Sequence, residues 1–552
     1  MKRTRLARIL LPVLLAPLLG AATPFARAQV AYVERSSGLE APDMEEGNTE
    51  IEFADVDGDG HMDLVCVGDH GSPYINSTEH GVMVWFGSGT GSWSLVQYGN
   101  FGYGGVAIGD VNGDGFQDVG YGVHHDYAGG DLGDQILEVA LGNGSGASWT
   151  PWDDGLATQG ETWGMFGTDF ADVDGDGDLD LGTVSFGCCA GVHVYRNEGD
   201  GTWVQSFGFL GGNSGLMFEF GEVNGDGFVD FAVSHQYGTV YLGDGNGGFA
   251  RDDGNLPGAP VRNGISLGDV DGDGRDDLAF VTSGGGLAVA SWVGPGVWQD
   301  LTGNLPTGAG FTRAQIADMD LDGRGDVLAF RAGSPGVVEI WSGDGQGQWQ
   351  SIATVSLPVA QDDAAFRAGA DADHNGYPDF VVVQKEYVGG FPIPWRNRPR
   401  FFAESSVPDE AWIHPVFPRG GETLVAGSVR FLEWTCAVPG GTPDPVRIEL
   451  STDGPSGPWT PVAVGAPNSG RFQWRLPAGL PSSGNAYLRF TAGGASAVTP
   501  QPFTLVGATP VPALTEWGAA LGLLAMILAG SRLVRGARRR PGADYAERQA
   551  RS

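Results

Sequence analysis

The sequence predicts an all-β chain, in which a seven-bladed β-propeller is followed by a β-sandwich and then by a C-terminal transmembrane helix. Three observations carry the prediction. A nine-residue acidic loop recurs seven times at intervals of 55, 62, 50, 47, 49 and 53 residues, within the range of propeller repeats. Each loop is followed by a short run rich in β-branched or aromatic residues (LVCV, VGYGV, LGTVSF, FAVS, LAFV, VLAF, FVVV), which reads as a strand. The 93 glycines and 33 prolines among 552 residues interrupt the chain too often for long helices.

The loop is clearest at 172–180, DVDGDGDLD. Carboxylates at positions 1, 3, 5 and 9 can converge from one side of a tight turn, glycine at position 6 tolerates the bend, and the carbonyl at position 7 adds an oxygen. That donor set suits a hard cation, and calcium takes six to eight such oxygens. The candidate ligands are Asp55, Asp57, Asp59 and Asp63; Asp110, Asn112, Asp114 and Asp118; Asp172, Asp174, Asp176 and Asp180; Glu222, Asn224, Asp226 and Asp230; Asp269, Asp271, Asp273 and Asp277; Asp318, Asp320, Asp322 and Asp326; and Asp371, Asp373, Asn375 and Asp379. An EF-hand needs a bidentate Glu at position 12. Here that position holds Cys66, Tyr121, Thr183, Val233, Phe280, Ala329 and Val382, so the EF-hand is excluded. Acidic turns that bind nothing would leave crowded carboxylates to repel one another.

Each unit has the same parts. An apolar run enters the loop, the second strand leaves it, a third is usually introduced by glycine (GVMVWFG, GVHVYRN, GVVEIWSG), and an aromatic strand closes the unit (GSWSLV, GTWVQSF, GQWQSI). Four antiparallel strands make one blade. The units resemble FG-GAP or VCBS repeats over roughly residues 30 to 405. The resemblance implies a seven-bladed propeller with calcium between the first and second strands of each blade. Leu321 and His374 replace the position-4 glycine of the other copies, which predicts less regular loops in blades six and seven. AYVERSSGL near the start resembles RFFAESSVP at 400–408, giving eight candidate fourth strands for seven blades. The expected closure places residues 31 to 36 beside the third strand of blade seven.

Residues 1–28 combine a basic start, an apolar stretch and Ala26-Arg27-Ala28, the pattern of a secretory signal peptide; the propeller is assigned to 29–405. Residues 406–506 lose the acidic loops and read as a β-sandwich. Their P.GGE…W and V.I.LS pattern resembles the Kre9-type immunoglobulin-like domains, with Trp434 and Trp474 as core residues and spacing as the domain's role. Within 507–552, an apolar segment at 519–529, extended by Leu533 and Val534, gives an 18-residue span at 517–534 with Arg532, Arg535, Arg538, Arg539 and Arg540 at its end, which predicts a transmembrane segment with its basic end in the cytoplasm. VPALTEWG, span and arginines together resemble the IPTL-CTERM sorting signal of Gram-negative exosortase substrates. That implies an exosortase-type sorting enzyme as partner and a cell-surface location, either membrane-anchored or secreted after processing.

The formal charge of −36 argues against nucleic acid as a partner. Much of it is site chemistry, since more than a third of the acids lie in the seven loops. Four cysteines give no disulfide scaffold, although Cys188 and Cys189 are adjacent and either pair or remain thiols. No G-x-S-x-G, HExxH or Walker motif occurs. His70, His80, His124, His125 and His235 fall in connections on the face opposite the loops, which also carries Tyr74, Tyr127, Trp163, Tyr237 and Tyr387. Two functions follow. The preferred one is an exported, calcium-binding surface module for adhesion to a glycan or extracellular protein; the alternative is a polysaccharide lyase or hydrolase using the same face.

Overall fold

The computed structural model describes residues 29–507 apart from 40–43, 46–48, 69–80, 103, 127–130, 159–160, 162–163, 186–190, 258–261, 359, 390–394 and 441–443. Among the described residues there are strands and turns and no helix. In blade one, Ile51–Ala54, Asp63–Gly68, Gly81–Gly87 and Trp93–Tyr98 pair antiparallel in that order. The same order recurs in blades that begin with Val106–Gly109, Met165–Ala171, Ser214–Gly221, Asn263–Gly268, Arg313–Ala317 and Ala360–Ala368. Each first strand touches that of the next blade, and the first strand of blade seven touches that of blade one, so the ring is closed.

The apolar second strands are explained by burial on both faces, which removes the polar alternation of a half-exposed sheet. Leu64 and Cys66 join a core with blade seven, while Val65 and Val67 join a core with blade two. Seven such cores each straddle two neighbouring blades. The chain start completes the last blade: Tyr32–Glu34 pairs antiparallel with Trp395–Glu404, placing Tyr32 opposite Glu404. This is the expected closure. The segment at 400–408, which also read as a fourth strand, supplies the end of the third.

Both rims of the ring are tied between blades. Outside, Trp93 Nε1 donates to the Arg35 carbonyl at 3.0 Å, Trp203 Nε1 to Trp152 at 2.7 Å, Trp298 Nε1 to Asp252 at 2.9 Å and Trp349 Nε1 to Leu301 at 2.8 Å. Inside, each first strand exposes an unpaired edge to the channel, and its N–H groups need acceptors. Glu50 accepts from Val106 and Thr168, Asp169 from Phe220, Glu219 from Leu267, and Ser266 Oγ from Ile316. The aromatic fourth strands and the polar inner strands are therefore ties from one blade to the next.

Residues 412–506 form two further sheets around one core. Trp412–Phe417, Val429–Ala437 and Arg471–Arg475 make the first; Thr423–Val425, Phe503–Val506, Ser483–Ala492, Val446–Ser451 and Thr460–Ala466 make the second, with Ala495–Val498 beside Ser483–Ala492. Trp434 and Trp474 lie in the shared core as expected, and Trp434 Nε1 donates to Asn468 Oδ1 at 2.8 Å. This unit is more than a spacer: it packs directly on the acidic loops of the propeller.

The fold is thus all-β and propeller-like with several four-stranded sheets. The expected C-terminal transmembrane helix is corrected, together with the membrane anchoring, the sorting-enzyme partner and the cell-surface tethering inferred from it. No helix among the described residues is long and apolar enough to cross a membrane. The expectation rested on an 18-residue span, at the lower edge of what crosses a bilayer, and residues 508–552 lie outside those described, as do 1–28. Cys66 and Cys436 are buried free thiols, while Cys188 and Cys189 lie outside the described residues.

Candidate metal-binding loops

The seven loops share one backbone conformation, written by glycine and by the acids themselves. The position-6 glycines have φ between 85° and 94°, a region that side chains disfavour. Position 4 is also left-handed, and Leu321 and His374 adopt it at φ 58° and 56° alongside Gly58 at 73° and Gly175 at 75°. The loops of blades six and seven therefore keep the left-handed turn at position 4, contrary to the irregularity expected from those two residues.

Carboxylate oxygens then take up the N–H groups of the turn. Position 9 accepts from position 2 in all seven copies at 2.8–3.0 Å. Position 5 accepts from position 7 in all seven at 2.7–3.0 Å. Position 1 accepts from the position-6 glycine at 2.8–3.1 Å in six loops. In blades one, two, three, four and seven the second oxygen of position 9 also accepts an N–H from Gly87, Gly142, Asn197, Gly243 or Glu404 at 2.7–2.9 Å. The buried position-9 aspartate is therefore a pin between loop and sheet as well as a candidate ligand.

These bonds bring acid oxygens together. One oxygen from each of Asp55, Asp57 and Asp63; Asp172, Asp174 and Asp180; Asp269, Asp271 and Asp273; Asp318, Asp320 and Asp326; and Asp371, Asp373 and Asp379 lies within 4.8 Å of the others in its group. The acids of loops two and four form no such group of three. In those loops the position-3 amide turns to position 5: Asn112 Nδ2 donates to Asp114 Oδ2, and Asn224 Nδ2 to Asp226 Oδ2, each at 3.0 Å.

Burial disfavours the charged form of several of these acids. Burial, with the neighbouring carboxylates adding to it against the backbone donors, pushes Asp55 up to about 7 and both Asp63 and Asp230 to about 8. Asp180, Asp371 and Asp379 are held well above the usual range, again mainly by burial. Asp55 Oδ1 and Asp371 Oδ1 are buried with no hydrogen-bond donor. A buried acceptor without a donor is costly, and a divalent ion would satisfy it; the residues fit calcium. Arginines approach some of the same acids, with Arg196 Nη1 3.0 Å from Asp174 Oδ2 and Arg35 Nη1 3.2 Å from Asp373 Oδ2.

A second acidic group, unremarked from sequence, lines the channel. Glu52, Glu219, Asp276, Gln315 and Arg367 border a cavity of about 340 Å³ that Glu433 and Arg471 of the following domain help to enclose. Arg367 Nε lies 2.9 Å from Glu52 Oε2. Burial raises Glu219 to about 8, and Glu52 and Asp276 to about 7. The signal was present in the chain: Glu52, Asp169, Glu219, Ser266 and Gln315 all stand three residues before their loops.

On the opposite face the five histidines form no described cluster. His70 and His80 lie outside the described residues, as do Tyr74, Tyr127 and Trp163; His124 is half-buried; and His235 is enclosed by Phe209 and Tyr237. Tyr237 and Tyr387 are exposed, at 46% and 64%. Sequence reading passed over His193, buried with Nδ1 3.4 Å from Glu161 Oε1.

The FG-GAP-like repeat family matches residues 55–121, 222–280, 269–329 and 318–382. The third loop, whose four ligand positions are all aspartate, lies outside the match, as do residues 406–506 and the C-terminal segment, so no comparison supports the immunoglobulin-like or sorting-signal resemblance. No curated protein matches the sequence. Among solved structures, similarity is found to Sqt1 of Saccharomyces cerevisiae, at 13% identity and a TM-score of 0.37 over 64% of this chain and 84% of that one. YCF48 from Cyanidioschyzon merolae gives 11% and 0.38 over 68% and 99%. The six-bladed fucose-recognising lectin of Aleuria aurantia gives 12% and 0.30 over 64% and 96%. These likenesses are too distant to bear on function. The chain thus carries segments similar to FG-GAP-like repeats, at 55–121 and 222–382, within an all-β, multi-bladed, propeller-like architecture.

Proposed function

We propose that the protein is a calcium-binding propeller that serves as a binding or adhesion module for a glycan or a protein, through the face opposite its acidic loops. The observation that carries this reading is the disposition of the two faces. Loops two to seven are in contact with residues 412–475 of the same chain, while the other face carries connections that differ from blade to blade, where a repeated scaffold usually places recognition. Leu210 and Tyr237, exposed beside the half-buried Phe209, offer an apolar and aromatic patch there, suited to stacking on a sugar ring or anchoring a protein side chain.

Two measurements test the proposal. Calcium binds only the native loops and so stabilises the fold by mass action; melting temperature should rise with calcium and fall in excess EDTA, and equal melting in both would remove calcium from the account. A glycan array and a panel of candidate protein ligands then identify what binds. Tyr237→Ala should weaken the binding about tenfold or more, as loss of a central aromatic contact does, while changes at Ser88 and Thr90 on the loop face should leave it intact. Loss from the second set alone would place recognition on the wrong face.

A further inference from the structure

The domain at 412–506 meets the propeller at the working parts of the metal loops. Three of its groups donate to the first carboxylate of a loop: Val429 N–H to Asp172 Oδ2 at 2.9 Å, Cys436 N–H to Asp371 Oδ2 at 3.1 Å, and Arg419 Nη1 to Asp318 Oδ2 at 3.3 Å. In each case that oxygen also accepts the N–H of the position-6 glycine. The two donors fix the rotation of the carboxylate and leave its other oxygen turned to the loop centre; in Asp371 that other oxygen is buried without a donor.

The remaining contacts grip the loops, mostly by their backbone. Gln473 clamps position 1 of loop two, accepting from Asp110 N–H at 2.9 Å and donating to the Asp110 carbonyl at 2.8 Å. Thr423 Oγ1 and Arg430 Nη2 donate to the carbonyls of Gly225 and Gly227 in loop four, and Val438 N–H donates to that of His374 in loop seven. Arg475 pairs with Asp178 of loop three. Gly274 of loop five approaches Gly421 so closely that a side chain on either would clash with the other's backbone. Loop one is the exception: Asp55 receives Gly60 N–H and no bond from this domain among the described residues.

We infer that the domain at 412–506 is an integral part of the calcium sites of loops three, six and seven, positioning their first ligands, and that calcium in turn locks this domain onto the propeller. The inference rests on the calcium reading of the loops. Every contact requires the wrapped loop conformation, and a cation that neutralises the converging acids holds that conformation. Coupling of this kind is reciprocal: a domain that tightens calcium binding is tightened by calcium to the same degree.

The test uses the full chain. Calorimetric titration with calcium is compared between the wild type and R419M/Q473A/R475A, none of which removes a loop ligand, with circular dichroism as the check on folding. Small-angle scattering of the wild type is recorded in calcium and in EDTA. The expected result is an unchanged number of calcium ions bound with affinity weakened about fivefold or more in the variant, and an expanded scattering profile for the wild type in EDTA. Calcium binding of equal affinity in both proteins, or a compact wild type in EDTA, would overturn the inference while leaving the calcium reading intact. A wild type that takes up no calcium would overturn that reading and the inference with it.

Discussion

At the residue scale, the seven loops set backbone strain against ligand geometry. Leu321 holds a left-handed conformation that costs a non-glycine residue about 1–2 kcal/mol. Glycine in its place would remove that cost and add back part of it through the greater freedom of the unfolded chain, about 0.5–1 kcal/mol. Leu321→Gly should therefore leave stability unchanged or raise it by up to about 1 kcal/mol. Gly113→Ala is the converse. Nothing lies within 4 Å of a Cβ built at Gly113, whose φ is 76°, so the change should cost about 1 kcal/mol through the backbone alone. Chemical denaturation of both variants in calcium checks the pair; a marked loss from Leu321→Gly would mean that the leucine side chain stabilises the turn by contacts that outweigh its strain. The convergence of the acids was legible because it is local: a nine-residue spacing fixes which side chains can meet, and five of seven loops bring three acids together. Loops two and four depart because an amide carries two donors that a carboxylate lacks, so Asn112 and Asn224 bond to the neighbouring acid.

At the element scale, the first strand of each blade has an edge with no strand partner, and channel carboxylates supply its acceptors. Burial, partly offset by the N–H groups of Thr168 and Val106, raises Glu50 to about 8. A folded pKa above the unfolded value stabilises the fold fully below the unfolded pKa, near 4.5, and that contribution is lost as pH rises through about 8. Glu219, at about 8, acts in the same direction. Thermal stability in saturating calcium should therefore be greater at pH 6 than at pH 9. Glu50→Gln keeps an oxygen for Val106 and Thr168 without the charge and should flatten that dependence; a profile as steep as the wild type's would show that Glu50 titrates as an ordinary exposed acid. The acids three residues before loops one, three and four (Glu52, Asp169 and Glu219) were visible in sequence, yet their purpose was not. A strand edge becomes an open edge only when the ring places it on a channel, and no local pattern states that.

At the scale of the whole molecule, the repeat read from sequence became seven cores between blades, while the docking of 412–506 onto the loops was illegible because its contacts join residues roughly 65 to 360 positions apart. Ring closure lies between these extremes, since the likeness of AYVERSSGL to RFFAESSVP pointed to a spare strand. The structure gives that strand several ties. Tyr32 packs edge-on to Phe380 with ring centroids 5.0 Å apart, Arg400 Nη1 donates to Glu34 Oε1 at 2.5 Å, and Arg35 N–H donates to the Phe401 carbonyl at 2.9 Å. Beyond the strand, the Ser37 carbonyl accepts Trp93 N–H at 2.9 Å, and Leu39 lies in the core between blades seven and one. Removing residues 29–39 would leave Trp395–Glu404 without its antiparallel partner, strip the Trp93 indole of its acceptor and open two cores. Loss of two large apolar side chains alone costs roughly 3–6 kcal/mol, and at about 2–4 °C per kcal/mol the melting temperature should fall by roughly 10 °C or more. The comparison protein is Val33→Ala, since Val33 is 50% exposed and its substitution should leave melting within about 2 °C of wild type. A truncated chain that melts with the wild type would mean that the ring closes through its first strands alone and that the N-terminal strand merely lies against it.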